Sequence, residues 1–259
     1  MSSIRKTIYR LKWIFLSSIL ISSVLVTVFY FPNDPENGAI SPVEPYFGIS
    51  FCGNTTAEAK LLRNRVAQEA ALLLYTSQEK EYMQAKQRAA ETLGSRILPS
   101  NFEVAEELDR IAEEREGEKR TELLLRMRKE AKEIMEALKE FNPRLVGSVW
   151  RGTARQNSDI DVHTFSQNHL QVVNQLQKHN FETKSSERRS VTKDGNKESS
   201  FHIHVLLPSG DGVEVVVRSP EHLGQPERCE TYGDIKKGLS LKQLTRTLEE
   251  NPFQKFVPN

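Results

Sequence analysis

The chain has 259 residues, with 36 Lys and Arg against 35 Asp and Glu and a formal charge of +1. At roughly 150 residues per domain this allows one or two domains, and 37% apolar with 27% charged residues excludes a disordered, collagen-like or polytopic membrane chain. The near-zero charge removes bulk electrostatics as an argument for nucleic-acid binding, and two cysteines, Cys52 and Cys229, are too few for a disulfide scaffold or a cysteine-built zinc site.

Behind a basic segment, 1–12, the run 13–31 (WIFLSSILISSVLVTVFYF) carries no charge. At about 1.5 Å per residue it just crosses a hydrocarbon core of roughly 30 Å. It is longer than a usual signal-peptide core and no small-x-small site closes it, so a single-pass transmembrane helix in a lipid bilayer is expected. The positive-inside rule puts the bulk of the chain outside. Residues 32–55, rich in Pro, Gly, Asn and acids, read as a linker, and Asn54-Thr55-Thr56 is a glycosylation sequon if it lies outside.

The region 56–140 reads as helical. Three capping boxes, Thr55-x-x-Glu58, Thr76-x-x-Glu79 and Ser100-x-x-Glu103, each open an amphipathic run. Gly94 and Pro99 separate the second helix from the third, and Gly117 breaks the third from a fourth that ends at Asn142-Pro143. In that fourth helix Leu124, Met127, Ala131, Ile134, Met135 and Leu138 form one stripe, which predicts a packed layer in preference to a coiled coil. The helices carry structure and show no chemistry.

The stretch RLVGSVWRGTARQNSDIDVHTF follows. Arg144-Leu145-Val146 predicts a short strand ending at Gly147-Ser148, and a second strand carries Asp159-Ile160-Asp161. Residues i and i+2 on a strand share a face, so the two carboxylates project together about 6–7 Å apart. Their repulsion is resolved by a hard, oxygen-bound divalent cation. Gly147 lets a phosphate approach the backbone, Ser148 offers a hydroxyl at a helix start, and Arg151 and Arg155 are cations within reach of phosphate oxygens. A metal–triphosphate site is the reading these residues carry.

GSVWRGTARQNSDIDV resembles the signature of the DNA polymerase β-like nucleotidyltransferase superfamily, roughly G-S-x-x-x-G followed by D-x-D, in its small stand-alone form. That resemblance implies a third carboxylate on a neighbouring strand. In FHIHVLLPSGDGVEVVVRS a hairpin turning at Ser209–Gly212 leads into Val213-Glu214-Val215, and Glu214 is the match where Asp is commoner. Val213, Val215 and Val217 are then expected to face helices, and Glu214 the cleft. The resemblance further implies an α+β fold, a mixed sheet with helices on one face, in a catalytic domain over 141–235 with a helix and tail at 236–259.

The same resemblance implies transfer of NMP from an NTP to a hydroxyl, with pyrophosphate released. Asp159, Asp161 and Glu214 are the catalytic and metal residues, holding two Mg²⁺, with Mn²⁺ as the alternative ion. Gly147, Ser148, Arg151 and Arg155 are the nucleotide-binding residues, and ATP is the default NTP. The acceptor is left open among an RNA end, a small molecule and a protein hydroxyl, and the oligomeric state is not given. The alternative function is a non-catalytic nucleotide- or RNA-binding module held at the membrane; loss of a carboxylate would mark it, and all three are present. ATP and Mg²⁺ chemistry puts the catalytic domain in the cytoplasm, opposite to the charge bias, with either the anchor reversed or residues 1–55 reflecting a misassigned start; the next methionine is Met83. His163, His202 and His204 are read as partly buried fillers before ligands, and the basic stretch with Lys184, Arg188, Arg189, Lys193 and Lys197 as a solvated hairpin before an RNA grip.

Overall fold

A computed structural model describes residues 55–193 and 196–258. The expected transmembrane helix at 13–31, Asn54 of the sequon and nearly all of the 32–55 linker lie outside them. Among the described residues no helix is long and apolar enough to cross a membrane.

Helices α1 (Thr55–Tyr75), α2 (Tyr82–Thr92) and α3 (Asn101–Glu116) share a core built on Val66, Ala70, Ala89 and Val104. Of the capping boxes, that of α3 is complete: Glu103 N–H donates to Ser100 Oγ at 3.2 Å and Ser100 N–H donates back to Glu103 Oε2 at 2.7 Å. The one expected at Thr76 does not form. Thr76 Oγ1 instead donates to Leu72 O at 2.8 Å, finishing α1, and α2 starts six residues later behind Glu81. A threonine just past a helix can satisfy the orphan carbonyls behind it as readily as the amides ahead.

Helix α4 (Glu118–Ala137) begins at Gly117, whose φ of +52° suits a residue without Cβ. Its predicted stripe is buried, and it packs into a second core with the sheet, not with α1–α3. The division between the two cores falls at Gly117.

Strands β1 (Arg144–Val146), β2 (Ile160–Phe165), β3 (Thr183–Lys193), β4 (Asn196–Leu206), β5 (Gly212–Arg218) and β6 (Leu239–Ser240) form one sheet in the order β3-β4-β5-β2-β1-β6. Only β2 and β5 pair in parallel, so the sheet is mixed. Helix α5 (Gly147–Arg151) follows β1, and α6 (His169–Lys178) and α7 (Leu241–Glu250) complete the fold. Ile160, Val162, Ile203, Val205, Val213, Val215 and Val217 point into the core with α4 and α6. The alternate residues of β2 and β5 form the opposite face, as period-2 alternation requires.

Candidate active site

The register of three strands brings the predicted carboxylates together. β2 and β5 run parallel with Asp161 opposite Glu214, and β1 lies antiparallel with Val146 opposite Asp161. Gly147, next in the chain, is thereby laid against the Asp161 side chain. Its φ is +70°, and a Cβ there would sit 1.9 Å from Asp161 Oδ2. Gly212, at the start of β5, is placed likewise against Asp159: a Cβ would stand 2.4 Å from Asp159 Oδ1. Each aspartate thus rests on a glycine.

Electrostatics within this group are repulsive. Burial, then the charges of Glu214 and Asp159, push the Asp161 carboxyl up to about 7, with Lys236 pulling the other way. Asp159 is raised too, first by burial and then by Glu214. Glu214 is not left to itself: His202 Nδ1 lies 2.8 Å from its Oε1, and Ser200 Oγ lies 3.0 Å from His202 Nε2. A neutral ring that donates from Nδ1 to the carboxylate accepts the Ser200 hydroxyl at Nε2. Arg189 Nη1 stands 3.5 Å from the same Glu214 oxygen. His202, read from sequence as a filler, is therefore a direct partner of the third carboxylate. His163 continues the Asp161 face, and burial with the charges of Lys236 and Arg218 pushes it down to about 4, so it is neutral at physiological pH.

Three carboxylates that repel one another suit a hard divalent cation by donor type. Among the described residues, however, no group of three or more His, Cys, Asp or Glu side chains is arranged to hold a metal ion, Asp159, Asp161 and Glu214 included; Glu214 is drawn toward His202 and Arg189.

Beside the carboxylates a cavity of about 350 Å³ is lined by Gly147, Ser148, Arg155, Tyr82, Tyr232 and Lys236, among others. Tyr82 belongs to α2, and Leu108 and Asp109 of α3 also reach this wall. The helical layer, in which the sequence showed no chemistry, closes the cleft. Burial pushes the Tyr82 hydroxyl up to about 12.

Arg151 lines the same cavity, and its guanidinium is already engaged within the protein. It is 3% exposed. Nη1 and Nη2 hold Asp234 at 2.8 and 2.6 Å, and Nη1 also donates to Phe256 O at 2.7 Å. The guanidinium lies over the rings of Trp150 and Tyr232. Its charge is paired with Asp234; Arg155 and Lys236 are the other cations that line the cavity, Lys236 being paired with Glu227. Sequence reasoning passed over Lys236 because its segment has no periodicity. Of the basic hairpin, Lys184 pairs with Glu182, Arg188 bonds Ser199 Oγ at 3.1 Å, and Arg189 pairs with Glu187.

Residues 126–241 match the family described as nucleotidyltransferase domain. No curated protein matches the chain. Among solved structures, Cid1 in complex with the UTP analog UMPNPP is 17% identical with a TM-score of 0.27, over 39% of this chain and 31% of that one. A cytoplasmic RNA terminal U-transferase is 16% identical with a TM-score of 0.23, over 48% and 35%. The chain spans about a third of the length of each, and with overlaps this slight the assignment rests on the family match.

Proposed function

We propose, on the premise that residues 126–241 form a nucleotidyltransferase domain, that the protein transfers NMP from an NTP to a hydroxyl acceptor and releases pyrophosphate. The observation that carries this reading is the register that sets Asp161 opposite Glu214 and against Gly147, which itself lines a cavity of about 350 Å³.

Asp159 and Asp161 are the residues that would hold the divalent ions, Mg²⁺ by preference, with Glu214 completing the set. When bound, the ions neutralise the triphosphate and make the acceptor hydroxyl more acidic. Ser148 donates its hydroxyl to a phosphate oxygen, and the bare Cα of Gly147 allows the close approach. Arg155 and Lys236 supply positive charge in the same wall. The acceptor oxygen bonds to the α-phosphorus as the bond to the β-phosphate oxygen breaks, and pyrophosphate leaves with that electron pair. The hydroxyl proton passes to Glu214, which His202 holds in place. We keep 13–31 as the membrane anchor with the catalytic domain on the cytoplasmic side; digestion of that domain by protease outside sealed cells would refute this placement.

The full chain, given Mg²⁺ and each NTP with a cell extract as acceptor source, is expected to release pyrophosphate. Asp161→Asn is expected to abolish that release nearly completely. A folded Asp161→Asn protein with most of the activity would sink the metal assignment.

A further inference from the structure

A second cavity, of about 360 Å³, lies on the same sheet face, past Asp161 along β2, where His163 and Phe165 line it. Lys236 lines both this cavity and the one holding Gly147 and Ser148, and its charge reaches the Asp161 carboxyl. Two cavities of nearly equal size therefore meet at one lysine beside the central carboxylate. A transfer reaction needs two substrates at that point, and the Gly147-Ser148 side accounts for one of them.

The second cavity has a distinct charge. Arg144, Arg218, Lys236 and Lys237 line it against the single carboxylate of Glu227. Glu227 already serves two of these cations, at 2.7 Å from Arg218 Nη1 and 3.2 Å from Lys236 Nζ. Arg144, on β1, and the exposed Lys237 stand in the same wall, the Arg144 Nη1 donating to the Lys237 carbonyl at 3.3 Å. A pocket with this excess of cations is built for an anion. Its volume is at the small end of the range for small-molecule sites and too small for a folded macromolecule.

We infer that this second cavity is the acceptor site, and that the acceptor is a small hydroxyl compound carrying its own anionic group, which the Arg144–Lys237 side holds while a hydroxyl points toward Asp161. This rests on the transferase reading above and adds the substrate class to it. Phosphate and carboxylate share the required chemistry.

The test uses the full chain loaded with Mg²⁺ and a non-hydrolysable NTP, titrated calorimetrically with ribose 5-phosphate, gluconate or ribose. Binding of an anionic probe is expected and binding of ribose is not; whichever of the two anions binds more tightly identifies the group. Arg144→Ala/Lys237→Ala is expected to weaken the anion at least tenfold with NTP affinity unchanged, and unchanged NTP affinity also shows that the variant is folded. Lys237→Glu, at an exposed position, is expected to act in the same direction. Equal binding to wild type and variants, no anion binding to the NTP-loaded wild type, or transfer to a short RNA that Lys237→Glu leaves untouched would overturn the inference. Failure of the wild type to bind NTP at all would refute the transferase reading, a different result.

Discussion

Asp161 is where burial and like charge converge, and its raised carboxyl pKa has consequences that can be measured. A group held at about 7 in the folded chain against 3.8 in the unfolded one binds its proton more tightly when folded. Stability from this residue is therefore present below about pH 4 and lost as pH rises through 7. In EDTA, Asp161→Asn is expected to match wild type near pH 4 and exceed it increasingly toward pH 8, by urea denaturation; a pH-independent difference would contradict the cause given. Gly147 supplies the second prediction at this scale. Gly147→Ala would drive Cβ into Asp161 at a φ of +70°, and a misplacement of about 1 Å at a reacting centre costs on the order of 100-fold in rate. Its turnover is expected to fall by that order in a pyrophosphate assay, with the far-UV spectrum unchanged. Spacing on the sequence pointed to Asp159, Asp161 and Gly147, and the family resemblance to Glu214; the strand register brings the four together. The sequence could not disclose that Arg151 pairs with Asp234, 83 residues away, because nothing local marks so distant a partner.

At the scale of elements, α5, which opens at Gly147 and Ser148, is braced from behind. Arg128 of α4, fully buried, donates to the carbonyls of Val149 at 3.2 Å and Trp150 at 3.1 Å. It also donates to Pro252 O at 2.6 Å and Gln254 O at 2.8 Å. With no carboxylate among these partners, burial pushes its pKa down to about 10. One side chain thus ties α4, α5 and the segment after α7 together. Arg128→Met leaves four carbonyls without this donor; each unsatisfied buried group costs about 1–3 kcal/mol, so a loss of at least about 3 kcal/mol is expected in urea unfolding, and a loss under about 1 kcal/mol would contradict the brace. Helices and strands with strong periods were legible: the α4 stripe, β1, β2 and the hairpin at Ser209–Gly212 stand where the sequence put them. The box Ser240-x-x-Gln243 at the start of α7 was equally readable, by the same rule that placed Ser100. The segment between β5 and β6, which supplies Tyr232 and Lys236, has no period to read and is placed by long-range contacts.

For the whole molecule, the sheet brings its register, the helical layer brings a wall, and the segments before β2 and before β6 bring Arg155 and Lys236, so the cleft exists only in the assembled fold. Ligands that bind only there must stabilise the whole: at a free concentration 100 times Kd the gain is about 2.7 kcal/mol. Mg²⁺ with NTP is expected to raise the melting temperature of wild type and to leave Asp161→Asn unmoved, by scanning fluorimetry; an equal rise in both would place the nucleotide elsewhere. The most direct test of the central claim is isotopic. The full chain is incubated with Mg²⁺, a cell extract and NTP labelled at either the α- or the γ-phosphorus. The account predicts α-label joined to an acceptor, γ-label in pyrophosphate, and neither with Asp161→Asn. γ-Label on the acceptor, γ-label as orthophosphate alone, or no movement of label in any fraction would contradict it.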